Sequence, residues 1–535
     1  MIEWLYPKAK GKATIVKGGG ASMHILSIIL CTLMLAWGSV VQAAPLEKVT
    51  IVLPSETPTM HPLTESNFIG TITWRWAYDT LISSETGSGK LAPWLAERWE
   101  RLSPTQMKFY LRKDAKFTDG TPVTAAAVKY SFDTIVAPET KSRQAAYFRE
   151  YKGIEILDDH TFIWHSKGPD NGLLTRLSNW GLIVNPKTKG KDLAIFAQTS
   201  HGSGPYILKS WEKAQKMVFE ANPNWWGKAK HPDMPKTVIL RRIVEPTTRV
   251  KALLADEIDI MSGVPPHMIE QVRANPKKAV STIPGIRLMY LNYSHDIGPL
   301  ADRNVLMAIN HAIDFEKIRR TILGGLAEPM GQIYHPWTYA GYDPDRKWYP
   351  YDVAKAKALL KASKYPNGFK ITIYTSIGRY PADKETCEAI PGMLKQVGID
   401  ATCKPMNYPL YTKLRRAYID DRMKEGYKKR EPALFYQGYG NSASDPALIM
   451  RAFAGCKGAW SYYCDKELDA VVDKAARLTD EKAQDAAFGK VMDIFKERSL
   501  VTPFFRIHDV YAYDKKLNFV GRHDEKIYPW EITAK

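Results

Sequence analysis

Five cysteines in 535 residues leave little room for thiol or metal chemistry. None stands in a Cys-x-x-Cys pair and no His-Glu-x-x-His occurs, so the spacings that hold zinc are missing and neither a metal nor a cofactor is expected. No Gly-x-Ser-x-Gly elbow is present either. Gly202-Ser203-Gly204 runs into Pro205 rather than a helix, which makes neither a hydrolase elbow nor a phosphate cradle. Ser210-Trp211-Glu212-Lys213 has the Ser-x-x-Lys spacing of penicillin-recognising enzymes, but no Lys-Thr-Gly follows it and the serine lies in a strand pattern. The pairs Asp158-Asp159 and Asp420-Asp421 fall in turn and helix-surface patterns, whereas glycosidase chemistry needs two carboxyls facing each other across a cleft. No low-complexity tract or repeat of solenoid period occurs. These absences argue against a zinc enzyme, a serine hydrolase and a repeat protein.

What is present begins with a leader. Lys8, Lys10, Lys12 and Lys17 precede an apolar run, Ile25 to Trp37, and small residues surround Ala43, the order of a secretory signal peptide cleaved after that residue. The run is shorter than the roughly 20 residues of a membrane span. Met23 is a competing start. Cys31 follows Leu30, not the small residue of a lipid-attachment site. A periplasmic protein of about 490 residues is expected, too long for one hydrophobic core.

The formal charge is +18. A basic balance attracts anions or simply keeps a protein soluble, and solubility is the favoured reading. The densest basic stretch, Lys413 to Arg430, is broken by Asp420, Asp421 and Glu425 and reads as a solvated helix; no nucleic-acid partner is expected. After the leader, Cys387, Cys403, Cys456 and Cys464 remain. Four cysteines in an oxidising compartment allow three pairings, of which the local pairs Cys387 with Cys403 and Cys456 with Cys464 are preferred, with buried free thiols as the competing reading.

Short α/β elements punctuated by Pro and Gly fill the chain. Lys48–Leu53 reads as a strand, Thr73–Ser83 as a helix, and Ile154–His165 as a hairpin turning at Asp158-Asp159. His201–Trp226 carries two strands behind a glycine-rich entry. Thr237–Ile243, Pro246–Ala255 and Ile258–Met261 follow a βαβ rhythm, and so do Phe369–Thr375, Ala382–Gln396 and Ile399–Lys404, which favours parallel sheets. Arg303–Ile318 is read as one helix. Trp94, Trp99 and Trp226 sit within these patterns and are read as structural. Phe435–Ala447, FYQGYGNSASDPA, breaks from a strand into a polar, glycine-rich loop beside Tyr436 and Tyr439, as where backbone and hydroxyls approach a small molecule.

Leu91 to Val136 holds the densest local information. Met107, Phe109 and Leu111 alternate as in a half-buried strand, Asp119-Gly120 turn the chain, and Val128, Phe132 and Ile135 recur on one helical face. Thr124 is expected to cap that helix with its hydroxyl. This string, with its DGTPVTA core, resembles the peptide/nickel/opine class of bacterial solute-binding proteins that feed ABC importers, family 5 of the extracellular solute-binding proteins. His201–Trp226 and Arg303–Ile318 resemble two further blocks of that family.

The resemblance implies a type II, cluster C binding protein: two α/β lobes joined by crossing strands, a subdomain inserted in the first, and a solute held between the lobes. The implied division is lobe I at 44–85, 200–295 and 505–535, the insertion at 86–199, and lobe II at 296–504. It also implies a monomer without catalysis, partnered by a small solute and an inner-membrane permease. In peptide-binding relatives an Asp pairs with the ligand's amino group; counting back from Asp445-Pro446, Ser442 stands there, beside Asn441, and neither is charged. Arg416 matches the position of an arginine that meets the ligand carboxylate, with Arg415 its rival, and Glu56 matches a cleft-facing position. Arg379 and Tyr380, beyond the strand Phe369–Thr375, are further cleft candidates. Together with Tyr436, Tyr439 and Asp445 they suggest a small polar solute with an acidic group, peptide-like or opine-like. A periplasmic hydrolase of a peptide or glycoside, and a ligand-sensing partner of a membrane receptor, are the alternatives.

Overall fold

The strand Lys48–Leu53 is buried along all but its first residue, as a strand covered on both faces must be. It lies parallel to both Thr237–Arg242 and Ile260–Ser262, which realises the first βαβ rhythm. The computed structural model describes residues 46–535 apart from 87, 191–194, 197–199, 426–429 and 441; the expected leader lies outside these residues. Among the described residues no helix is long and apolar enough to cross a membrane.

Eleven strands form one sheet: β1 (Lys48–Leu53), β2 (Tyr206–Glu212), β3 (Lys216–Ala221), β4 (Thr237–Arg242), β5 (Ile260–Ser262), β6 (Lys278–Tyr293), β7 (Ala327–Pro329), β8 (Phe369–Ser376), β9 (Ile399–Met406), β10 (Ala433–Gly440) and β11 (Val501–Asp514). Their order is β9-β8-β10-β6-β11-β5-β1-β4-β3-β2, with β7 paired to β11. The long strands β6 and β11 are antiparallel neighbours at the middle of this order. Lys278–Pro284 pairs with His508–Asp514, Leu288–Asn292 pairs with Val501–Arg506, and the register slips between Pro284 and Leu288. Such a slip bends the strand and re-aims the side chains within it.

A separate four-stranded sheet, ordered Ala96–Ser103, Gln106–Leu111, Thr161–Ser166 and Tyr151–Asp158, carries the densest block. Helix Ala125–Val136 buries Val128, Phe132 and Ile135, and Phe132 meets Trp164 edge-on at 4.7 Å. Gly120 takes the positive φ that the Asp119-Gly120 turn requires. Thr124 does occupy the cap position, but its hydroxyl makes no capping bond. The backbone does that work instead: Ala125 N donates to Asp159 O at 2.8 Å, from the neighbouring hairpin turn.

Two other expectations shift. The first helix is Phe68–Ala77, capped by Asn67 Oδ1 accepting from Gly70 N, and Tyr78 is already extended, so Ile82–Ser84 is a strand rather than helix end. Arg303–Ile318 divides into Arg303–Ala312 and Phe315–Thr321, because Ile313 is extended and the Asp314 carboxylate caps a new turn at Lys317 N.

The glycine-rich entry before β2 is a close-packing device. A Cβ on Gly202 or Gly204 would fall 2.2 Å from Ala77 O or 2.6 Å from Ala77 C, inside any allowed contact. Nearby, buried Asp79 accepts from Trp94 Nε1 at 2.6 Å, Ser203 Oγ at 2.8 Å and Trp226 Nε1 at 3.2 Å, which fixes both indoles as structural. Cys387–Cys403 ties helix Asp383–Lys395 to β9, and Cys456–Cys464 closes a short loop, the two local pairings preferred from sequence.

Near the C-terminus Asp524 is buried with Arg522, whose Nε and Nη2 each donate to it at 2.9 Å, and with Lys526 at 3.5 Å. Burial opposes its charge, but Arg522 and Lys526 prevail and hold its carboxyl far below the usual range. A depressed folded pKa stabilises above the unfolded value, about 3.9, and that stability is lost as pH falls below it. Asp524→Asn is therefore expected to flatten the decline in unfolding free energy between about pH 5 and pH 2. Denaturant melts at several pH values check this; an unchanged slope contradicts it.

Candidate functional site

Beside the register slip of β6 on β11 lies a cavity of about 580 Å³. Leu53, Phe68, Ile69 and Ile72 wall it on the side of β1 and helix Phe68–Ala77. The loop Ile377–Ala382 and the start of helix Asp383–Lys395 wall the other side. Arg287 of β6, Ile507–Tyr511 of β11 and Glu525 form its floor.

The 377–382 loop is built around one carboxylate. Asp383 accepts from Ser376 Oγ at 2.9 Å, Gly378 N at 2.9 Å, Arg379 N at 3.1 Å and Tyr380 N at 3.2 Å. Lys384 N donates to it as well, at 3.0 Å; burial nonetheless raises its pKa, because these donors do not fully replace water. Tyr380 Oη donates to Gly438 O at 3.0 Å, pinning the loop to β10. The Arg379 guanidinium lies 4.9 Å from the Tyr380 ring and 5.7 Å from the Tyr408 ring, with no carboxylate within ion-pair distance among the described residues. This leaves a cation at the cleft wall, backed by aromatic rings and able to meet an acidic group.

Of the other residues singled out from sequence, none of the described ones is among those lining this cavity. Glu56 accepts from Trp211 Nε1 at 3.1 Å and Ala214 N at 2.8 Å, so its carboxylate ties the chain after β1 to the β2–β3 hairpin. Arg416 is exposed on the outer face of helix Tyr408–Glu425, beside Lys413 and Asp420. Its neighbour Arg415 is buried, donates to Ala459 O at 2.9 Å and stacks 3.9 Å from the Trp460 ring. Helical spacing carries this distinction, since Tyr411, Arg415, Tyr418 and Ile419 share the buried face.

Tyr436 is fully buried against Phe504, and Tyr439 packs on Phe453 and Trp460. Asp445 caps helix Pro446–Ala454 through Leu448 N at 3.0 Å and forms a buried ion pair with Arg176. Ser442 is half-buried, and Asn441 lies outside the described residues. Sequence reasoning missed Asp383, Arg287, Asp509 and Glu525. The first had a signal, an acidic residue at a helix start after a Ser-x-Gly turn; the others come together only through the crossing strands.

Among the described residues no group of three or more His, Cys, Asp or Glu side chains is placed to hold a metal ion. The model of the bacterial extracellular solute-binding proteins, family 5, matches residues 90–461. A probable D,D-dipeptide-binding periplasmic protein, DdpA of Escherichia coli K12, is 27% identical over 89% of this chain and 91% of its own length. The glutathione-binding protein GsiB of E. coli K12 is 24% identical over 76% of this chain and 78% of its own. Among solved structures, DppA of Helicobacter pylori, in complex with the peptide STSA, superposes with a TM-score of 0.77 at 24% identity, covering 92% of this chain and 98% of that one. AgaA of A. tumefaciens R10, in complex with agropinic acid, gives 0.76 at 22% identity, covering 91% and 99%. The fold is that of the two-lobed cluster C binding proteins. With the family match spanning well over half its length, this chain belongs to the bacterial extracellular solute-binding proteins, family 5, a family that captures solutes rather than transforming them.

Proposed function

We propose that this protein is the periplasmic capture component of an ABC importer, exported by the leader 1–43 and acting as a monomer that delivers a small polar, peptide-like or opine-like solute to an inner-membrane permease. The division into lobe I (44–85, 200–295, 505–535), insertion (86–199) and lobe II (296–504) is part of this reading. The observation that carries it is the cavity of about 580 Å³ walled by Arg379 and Tyr380 on an Asp383-organised loop. A solute touching both walls favours the closed form by its differential affinity, and exclusion of water strengthens each polar contact. Arg379 is the proposed anchor for an acidic group on the solute.

The peptide, glutathione and agropinic acid named for the relatives share carboxylates, which fits such an anchor. The test is a heat-denaturation screen of the purified protein against peptides, opines and organic acids. One solute class is expected to stabilise it, by about 2.7 kcal/mol at a hundredfold excess over Kd, with the solute recovered intact. Consumption of the solute would overturn the reading.

A further inference from the structure

Three charged groups meet on the cavity floor. The register slip between Pro284 and Leu288 frees Arg287 from regular pairing with β11, and its guanidinium comes to lie 5.2 Å from the Phe68 ring of one wall and 5.5 Å from the Tyr380 ring of the other. Arg287 Nε donates to Glu525 Oε1 at 2.5 Å. Glu525 is held in the left-handed region, φ 57°, a conformation that non-glycine residues avoid unless their surroundings impose it. Across the slip stands Asp509 of β11, almost fully buried, whose Oδ2 has no hydrogen-bond partner among the described residues. Gly285 makes room for it: a Cβ there would lie 2.7 Å from that same oxygen.

One guanidinium thus faces two carboxyls. With all three ionised the floor carries one uncompensated negative charge in a water-poor site, a costly arrangement unless a cation joins it. Burial and the carboxylates of Glu525 and Asp524 push Asp509 well above its ordinary pKa, against the opposing pull of Arg287. His508 and Tyr511 of β11 also line the cavity here, and neither supplies a positive charge: burial lowers the pKa of His508 and raises that of Tyr511. The loop position where peptide-binding relatives are expected to place an acid for the ligand's amine carries the uncharged Ser442.

We propose that Asp509 and Glu525, spaced by Arg287, form the seat for a protonated amino group of the captured solute. Asp509 and Arg287 lie on the paired strands β11 and β6 and Glu525 on the loop that follows them, so an ammonium bound there is held at the cavity floor while Arg379 takes the acidic end. The solute is accordingly an amino-bearing acid, a zwitterion. This rests on the solute-capture reading above.

Calorimetric titration of the full mature chain with three probe sets tests it: di- and tripeptides of both configurations, their N-acetyl derivatives, and C2–C6 dicarboxylates. The expected result is binding of an amino-bearing probe about 30-fold or more tighter than its N-acetyl partner, the scale of one charge-assisted hydrogen bond. Asp509→Asn should collapse that preference to within about threefold. Glu525→Gln, which leaves the β11 core untouched, should at least halve it, and serves should the first variant fold poorly. Equal affinity for an N-acetyl probe or a dicarboxylate, or an undiminished preference in the variants, overturns the amine seat while leaving solute capture standing. Binding of none of the three sets overturns the seat, and the capture reading falls with it if the opines of the heat screen also fail to stabilise the protein.

Discussion

Arg176→Met is expected to lower the free energy of unfolding by about 3–5 kcal/mol, the cost of leaving buried charges without their partner. Arg176 sits in the short helix Leu173–Leu177 and is itself buried. Its Nη1 donates to Asp445 and its Nη2 to Asp170, both also buried. Because Asp170 and Arg176 lie at or just before helix Leu173–Leu177 and Asp445 begins helix Pro446–Ala454, the triad joins parts of the chain 269 residues apart. Methionine fills the volume of the lost stem but leaves two carboxylates facing each other in a dry site. A contrast sharpens the test. Arg149 pairs with Asp473 across a comparable sequence separation, but both are substantially exposed, so Arg149→Ala should cost under about 1 kcal/mol. Denaturant melts of the two variants should differ severalfold in their loss; equal losses would show that the buried triad is energetically ordinary.

The second large effect falls on binding. Asp383→Ala is expected to weaken solute affinity on the order of 100-fold, about 2.8 kcal/mol, because the buried Asp383 carboxylate organises the 377–382 loop. Removing the carboxylate leaves Gly378 N, Arg379 N and Tyr380 N without the acceptor that holds them, and the loop no longer presents the Arg379 guanidinium at a fixed height on the wall. Asp383→Asn keeps one acceptor oxygen and should recover part of the loss. Affinity unchanged in the alanine variant, measured with the stabilising solute of the heat screen, would show that the loop is positioned by Tyr380 Oη and Gly438 alone.

Much of the fold was legible because local patterns have local causes. Alternation at Met107, Phe109 and Leu111, the Asp119-Gly120 turn and the Val128–Phe132–Ile135 face each depend on neighbours within a few residues. The cap at Thr124 was legible as a position and not as a bond, since the donor Ala125 N finds Asp159 O, which only the folded hairpin brings near. Arg303–Ile318 misled for a related reason: apolar spacing continues across Ile313, yet Asp314 offers the backbone a competing turn.

The site divided along the same line. Glu56 and Arg416 are residues of suitable chemistry whose directions are set by distant contacts: the β2–β3 hairpin takes the carboxylate, and the buried face containing Tyr411, Tyr418 and Ile419 turns Arg415 inward and Arg416 out. Arg379 and Tyr380 reach the cleft because the loop after β8 projects from the end of a parallel strand, a placement that the βαβ pattern already implied.

By itself, the sequence determined the family, the α/β rhythm and the absence of charge at Ser442, all properties of residue types and short spacings, and it favoured the local cysteine pairs that the folded chain brings together. Only the tertiary structure decided which charges converge. Arg287, Asp509 and Glu525 are separated by up to 238 positions, and their meeting depends on the slipped register of β6 on β11, which no short-range pattern encodes.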